Sequence, residues 1–429
     1  MFSSFLFRQF SRVSKGGWEE FFGLIIRSVS FIFGLLPAIF FVILMRIIRP
    51  LYLIRINKLI SPRLGHLAAN TELYLCERIA GINVPEQMAY VDLHFHGGCR
   101  VSNKQLARMW KRKLNIWPKW FIEPTYLLNK LIPGGSVHDV GSNYLFGRDA
   151  LNLHERIPAQ LKFTHDEEAK GKQGLIDIGI PSGAEFICLM VRDDAYLNKF
   201  LPVPGNWAYH SYRDSDVNNY LLAAEDLAER GYYVVRMGQI VNAPVSSKNS
   251  KIIDYATNGM RSDFMDIYLG ANCLFCLTSG TGFDGVPSIF RKRICYVNIV
   301  PIGFVESYRK DAVFLSKRYW LKSEQRELTL KQIFNYDIGH ALSNDECESM
   351  GVTLIENTPE EIRDAAIEML ESLKGEWLPD STDEKLQQNF WDIFPADKKI
   401  DHYFQKAVHG KIRSRYSSKY LRAHPKWLQ

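Results

Sequence analysis

The chain has 429 residues, with 53 Lys and Arg against 47 Asp and Glu (net charge +6), and is 46% hydrophobic and 23% charged. That composition excludes disordered and fibrous proteins, and the length predicts roughly two to three domains. The charge is unevenly placed. Residues 1–63 hold nine basic and two acidic side chains, residues 402–429 hold seven basic and none acidic, and the body between them is acidic. Basic ends around an acidic body argue against a nucleic-acid binder and for contact of both ends with an anionic surface such as a membrane.

Residues 1–50 read as a hydrophobic membrane-associating segment. Ser28–Met45 is a run of 18 residues without a charge, rich in Phe, Ile, Leu and Val, close to the ~20 that a spanning helix requires. The run begins too late, and lacks the small-residue cleavage site, for a signal peptide. Arg27 and Pro37 complicate a straight span, and Trp18, Phe21 and Phe22 suit an interfacial belt, so a monotopic or re-entrant anchor competes with a single span, and a buried hairpin of a soluble fold is the plain alternative. Arg46, Arg49, Arg55, Lys58 and Arg63 on the C-terminal flank outweigh Arg8, Arg12 and Lys15 on the other. The positive-inside rule then predicts an inner-membrane protein whose large domain faces the cytoplasm.

Residues 51–165 read as a first Rossmann-like domain. Leu51–Ile56 is a strand, Ser61–Asn70 a Gly-containing turn, Thr71–Ile79 a helix and Gln87–Phe95 a second strand, followed by helices across 103–132. A polar, Gly-containing stretch around 160–182 separates this from a cleaner alternation. There Glu185–Arg192, Tyr232–Met237, Cys273–Leu277, Ile294–Ile299 and Val352–Ile355 are strands. Val217–Arg230, Ser262–Gly270, Gly282–Phe290 and Pro359–Lys374 are helices, with Ser262, Thr358 and one of Asp214, Ser215 or Asp216 as caps. This alternation predicts a parallel sheet covered on both faces over residues 166–375, and leaves 376–429 as a basic tail.

In such sheets ligands bind beyond the carboxyl ends of the strands. Arg192 leaves the first strand of the second half, Arg236-Met-Gly238 the next, and Thr278-Ser279-Gly280-Thr281-Gly282 the third. Two guanidinium groups and a Gly/Ser/Thr loop entering a helix suit an anionic diphosphate, with a local ion pair as the lesser alternative for each arginine. Between the first two exits, His210-Ser-Tyr212-Arg213 offers a ring to stack on a nucleotide and cations for phosphate. In the first half, His66, Asp92 and His94 are candidates for a general base; a turn or core role is the plain alternative for each.

Other motifs carry less. Gly280-Thr-Gly-Phe-Asp-Gly285 matches G-x-G-x-x-G, but follows earlier β/α units, and the next strand carries Asn298 where a dinucleotide site needs a carboxylate. Cys273-x-x-Cys276 lies in an apolar run without a second pair, which favours core packing, and the seven scattered cysteines suit a reducing compartment better than a disulfide framework. His94 and His96 lack a third ligand at metal spacing.

The segments Arg63–Leu67, Ser102–Leu106, Val191–Leu197, Tyr209–Arg213 with Asn219-Tyr220, Arg236–Gly238 and Ser279–Pro287 together resemble a group of bacterial glycosyltransferases encoded with surface-polysaccharide genes. The resemblance covers about residues 50–375. It implies two facing Rossmann-like domains of the GT-B type, with the acceptor on the first, the nucleotide-sugar on the second, and the C-terminal tail packed back on the first. It also implies a metal-independent reaction with no cofactor besides the nucleotide-sugar, and a lipid-linked or growing glycan as acceptor. On that reading Arg192, His210, Tyr212, Arg213, Gly238 and Thr278–Gly282 hold the donor, and His66, Asp92 and Arg236 are catalytic. Asp284 is followed eight positions later by Lys292, which departs from the paired-glutamate pattern of one retaining subclass. A non-catalytic scaffold of a polysaccharide-assembly complex, or transfer of a non-sugar group onto a glycan, are the alternatives.

Overall fold

The computed structural model describes residues 2–141, 147–200, 208–396 and 408–429. The chain divides into two α/β units with parallel sheets, but not at a single boundary. The first comprises residues 1–62, 81–102 and 110–143, the second 63–80, 103–109 and 144–429.

In the first unit, β1 (Tyr52–Leu59), β2 (Ala89–His96) and β3 (Asn115–Ile116) form a three-stranded parallel sheet in the order β1-β2-β3. Helix α1 (Phe2–Ile48) carries Pro37 within it. Ala38, Val42 and Met45 are buried, the spacing of one helical face. Met45 closes a core with Ile54, Ile56, Leu93, Phe95 and Ile122.

The second unit contains a seven-stranded sheet in the order β13-β9-β8-β7-β4-β5-β6, parallel throughout. Its strands are β4 (Phe186–Met190), β5 (Tyr233–Arg236), β6 (Ile252–Ile253), β7 (Phe275–Thr278), β8 (Arg293–Ile299), β9 (Val313–Ser316) and β13 (Arg415–Tyr416). The chain winds outward from β4 through β5 to β6, then returns to the other side of β4 and continues through β7, β8 and β9. The direction of winding therefore reverses between β4 and β7, which makes their carboxyl ends the switch point of a doubly wound sheet. Val352–Ile355 does not join this sheet. As β12 it pairs antiparallel with β10 (Arg318–Leu321), which also pairs with β11 (Arg326–Glu327). Ser262 and Thr358 cap their helices, Thr358 in a reciprocal box with Glu361, and Asp216 accepts from Asn218 N at 2.9 Å.

Helix α2 (Leu64–Ile79) begins earlier than its sequence suggests and belongs to the second unit. Gly65 lies in its first turn, where an added Cβ would stand 3.0 Å from the backbone of Gly282. The glycine serves close packing of a helix rather than a turn. Glu72 on the same helix is fully buried and pairs with Arg291 at 2.7 Å.

Residues 408–429 are built into the second unit, which corrects the expectation of a tail packed on the first. β13 pairs with β9, and the helix Ser418–Ala423 caps onto Glu368 of the helix Pro359–Lys374, whose buried carboxylate accepts from Ser417 Oγ, Ser418 N and Lys419 N. Three arginines of this segment find acidic partners in the same unit. Arg413 pairs with Glu155, Arg415 with Glu384, and Arg422 with Asp380 and Asp383. These three are engaged within the protein, while Lys411 and Lys426 stay exposed. Lys406 lies outside the described residues.

His409 ties the same segment to the loop after β8. Its Nδ1 is 2.8 Å from Ser307 Oγ and its Nε2 3.1 Å from Gly303 O, which a neutral ring satisfies by accepting at Nδ1 and donating at Nε2. Burial, with Arg148 nearby, pushes its pKa down to about 3. A folded-state pKa below the unfolded value near 6.5 means that the stability tied to this group is present above pH 6.5 and is lost as pH falls toward 3. The melting temperature is expected to fall across that window, and His409→Gln, which retains a donor without a titrating ring, to make the fall shallower in a pH series of thermal melts. An unchanged slope would remove His409 as a source.

Candidate functional site

A cavity of about 620 Å³ lies within the second unit, lined by His210, Tyr212, Arg213, Gly280, Thr281 and Asp284, by the end of β8 and the loop Pro301–Glu306, and by Ser343 and Glu346. It therefore gathers the loop that follows β7 and the turn Ala208–Arg213 that follows β4. Arg192 N, just past β4, donates to Ser279 Oγ at 2.8 Å, and Arg213 Nη2 donates to Gly280 O at 3.2 Å. These two bonds join the exits on either side of the switch point.

The β7 loop is held from within and by the end of β4. Ser279 N donates to Met190 O, Gly280 N to Thr278 Oγ1, and Thr281 N to Asp284 Oδ2 at 2.6 Å. Asp284 also accepts from the Thr278 hydroxyl at 2.8 Å. Three backbone donors expected to cradle a diphosphate are thus spent on the loop's own shape, a correction to the sequence reading of Ser279–Thr281. Gly280 has φ +83°, where side chains are strained, and a Cβ there would meet Ile299 at 2.5 Å. Gly282 and Gly285 both lie against Gly65, so the G-x-G-x-x-G spacing is accounted for by a close crossing of loop and helix.

The positive field comes from side chains. Burial, then the charges of Arg192, Arg213 and Arg63, pushes the His210 pKa down to about 4. His210 is accordingly neutral near pH 7, with three guanidinium groups acting on it. Arg192 is largely buried, its pKa lowered to about 10 by burial and by Arg213, and its Nε lies 3.3 Å from Asp214 Oδ1. Burial in turn pushes the Asp214 carboxyl up to about 6. Tyr212 is buried beside Arg213 and lines the cavity, its phenol raised to about 12 by burial. The cavity also presents carboxylates. Burial raises Asp284 to about 6, whereas Glu306, which accepts from Tyr296 OH at 2.7 Å, is held below its ordinary value by Arg309 despite its burial.

Two further residues shape this cavity, one of them, Arg148, without a local sequence signal. Arg148 donates to Phe304 O, Val305 O and Val408 O at 2.8–2.9 Å, clamping the loop that forms one wall. Asp284 was legible only as the last residue of Thr281-x-x-Asp284, the spacing of a capping box, which the structure shows around the short helix Gly282–Asp284.

Arg192, Thr278, Ser279, Gly282 and His66 do not line the cavity, and three further sequence candidates are held by other contacts. Arg236 is 1% exposed; its Nη1 donates to Asp254 at 3.1 Å and its Nη2 to Ala243 O at 3.1 Å. It fastens the chain after β5 and does not line the cavity. Gly238 follows it in that loop, where a Cβ would strike Val241 at 2.5 Å. Asp92 belongs to the first unit, where both its oxygens accept from Arg55, at 2.7 and 2.8 Å, and its side chain is fully buried. A carboxylate so paired is a structural anchor, not a base. The same contact removes Arg55 from the membrane flank, and Arg46 is likewise engaged, with Asn129 and Pro133 O.

His66 remains as the base candidate. It stands on the first turn of α2, next to Gly65, with Nδ1 3.2 Å from Asn70 Oδ1. Burial lowers its pKa. An amide oxygen can only accept, so this contact assigns the proton to Nδ1 and the lone pair to Nε2. His94 is buried in β2, and His96 Nδ1 lies 2.8 Å from Ser61 Oγ. Among the described residues no three His, Cys, Asp or Glu are grouped to hold a metal ion. Cys273 and Cys276 are buried and unbridged.

No family model and no curated protein matches the chain. Solved structures similar to it include the glycosyl transferase family 9 protein from Veillonella parvula DSM 2008, at 11% identity over 75% of this chain and 98% of that one, with a TM-score of 0.41. E. coli ADP-heptose LPS heptosyltransferase II is similar at 14% identity, 58% and 86% coverage and a TM-score of 0.29. A UDP-N-acetylglucosamine 2-epimerase is similar at 11% identity, 76% and 98% coverage and a TM-score of 0.23.

Arg236→Ala separates the structural from the catalytic role. Leaving Asp254 unpaired is expected to cost about 3 kcal/mol of stability, read in denaturant unfolding, while ligand affinity of the folded protein stays within a few-fold of wild type. Undiminished stability with lost ligand binding would return Arg236 to the site.

Proposed function

We propose that the protein is a metal-independent glycosyltransferase, moving a sugar from a nucleoside diphosphate to a lipid-linked or growing bacterial surface glycan at the cytoplasmic side of the inner membrane. The observation that carries this reading is the cavity at the switch point, where Arg63, Arg192 and Arg213 impose a positive field on a neutral His210 and carboxylates stand on the same cavity's wall. Guanidinium groups suit a diphosphate, and the carboxylates of Glu306 and Glu346 suit sugar and ribose hydroxyls. The resemblance of the sequence segments to glycosyltransferases agrees with this chemistry.

In the reaction the acceptor oxygen bonds to the sugar's anomeric carbon as the bond from that carbon to the β-phosphate oxygen breaks. Negative charge grows on the departing diphosphate, and Arg213, already oriented by Gly280 O, is placed to stabilise it. If the configuration inverts, the acceptor hydroxyl loses its proton to a base, and His66, on the first turn of α2 beside the β7 loop, is the candidate for that role. Membrane association rests on α1, whose stretch Ser28–Ile48 has a mean hydropathy of 2.6 and is only 22% buried.

UDP, GDP, CMP and dTDP are tested in turn by thermal shift, and the corresponding sugar donors by nucleotide release with membrane extract. One nucleotide is expected to raise the melting temperature. Arg213→Ala should weaken that nucleotide roughly 10- to 100-fold, while His66→Ala should leave its Kd intact and lower kcat by roughly 10²-fold or more. Binding without donor turnover would favour the scaffold alternative, and no shift with any nucleotide would contradict the reading.

A further inference from the structure

Helix α1 does not present its apolar surface alone. It packs against the helix Lys119–Leu131 of the same unit, and the two cross so closely at Gly34 that a Cβ there would stand 1.9 Å from Trp120 O. At the other end Arg46 donates to Asn129 Oδ1, Pro133 O and Ile132 O, satisfying carbonyls where the second helix ends. The pair is thus pinned at two points.

The second helix is itself amphipathic in an unusual sense. At 100° per residue, Ile122, Thr125 and Asn129 fall together and are buried in the unit. Trp120, Leu127 and Leu131 fall on the opposite side and are 44%, 45% and 81% exposed. Lys119, Glu123 and Lys130 form a charged stripe between them, Lys119 pairing with Glu123 and Lys130 with Asp139. The exposed apolar stripe continues onto α1, because Phe33, 74% exposed, meets the Trp120 ring at 6.0 Å.

We propose that these two helices form one monotopic membrane-docking surface, set into a single leaflet of an anionic bilayer, in place of a lone transmembrane passage by Ser28–Ile48. Three observations select the bilayer as occupant. First, the inner face of α1 from Gly34 to Met45, some 16 Å at 1.5 Å per residue, is occupied by protein, and Met45 sits on β1. Full passage would carry that sheet, with the buried Arg55–Asp92 pair, into hydrocarbon. Second, an exposed tryptophan beside an apolar stripe bounded by charges is the arrangement favoured where hydrocarbon gives way to headgroups. Third, Arg49 and the turn Lys111-Arg112-Lys113 of the same unit are exposed cations, complementary to anionic lipid.

This inference rests on the membrane reading above and not on the sugar-transfer chemistry. Its test uses the full-length protein, floated with vesicles of phosphatidylethanolamine with or without phosphatidylglycerol, and with vesicles of lipid brominated in the upper acyl chain. Wild type should float with the anionic vesicles, and Trp120→Phe should lose a measurable part of the bromolipid quenching while floating equally well. Trp120→Glu combined with Leu131→Glu should lower vesicle partitioning tenfold or more, with circular dichroism reporting that the fold is retained. Quenching unchanged in Trp120→Phe together with undiminished partitioning of the double variant would overturn the two-helix surface and leave a span by α1 alone. Wild type that does not float would remove the membrane reading itself. A stable dimer in vesicle-free buffer that the double variant dissolves would assign the surface to a second copy of the chain instead.

Discussion

The parallel pairing of β4 with β7 is the constraint on which the candidate site depends. Cys188, Leu189 and Met190 stand opposite Cys276, Leu277 and Thr278, so both strands end at the same level and their following loops emerge side by side. Because winding proceeds to opposite sides of this pair, no crossover helix fills the space above it. Arg192 and Arg213 from one loop can then bond Ser279 and Gly280 from the other, and α2 can seat Gly65 on Gly282. Shifting that register by one residue would separate the guanidinium groups from the loop and turn the buried β4 side chains over.

The architecture of the second unit was legible because its strands are continuous apolar runs between helices with clear caps. The strands β6, β9, β10, β11 and β13, of two to four residues, were not, and Val352–Ile355 was placed in the wrong sheet, since pairing partners rather than local sequence decide them. Gly65, Gly282 and Gly285 read as turn and phosphate-loop residues, yet what they provide is a close helix–loop crossing, and a sequence cannot show that two glycines 217 positions apart will meet. Arg236 and Asp92 stand away from the cavity for a reason of the same kind. Their residue types were right for chemistry, but Asp254 and Arg55 satisfy them. His210, Tyr212 and Arg213 line the cavity, as the position of their loop after the first strand of the sheet suggested.

The net charge of +6 acquires a different meaning at this level. At the C-terminal end Arg413, Arg415 and Arg422 pair with Glu155, Glu384, Asp380 and Asp383 and help hold that segment in its unit. At the N-terminal end Arg46 and Arg55 serve packing, while Arg49 and the apolar stripes remain outward. Charge counting alone assigns both ends to one surface, but their partners divide them into an internal brace and an exterior face.

The central claim is that the switch-point cavity of the second unit takes a nucleoside diphosphate. Photo-cross-linking with an azido-substituted nucleotide diphosphate, followed by peptide mapping, addresses it most directly. The account predicts label on the peptides containing Ala208–Arg213 and Pro301–Glu306, displaced by unlabelled nucleotide. Displaceable label confined to peptides of the first unit would contradict it.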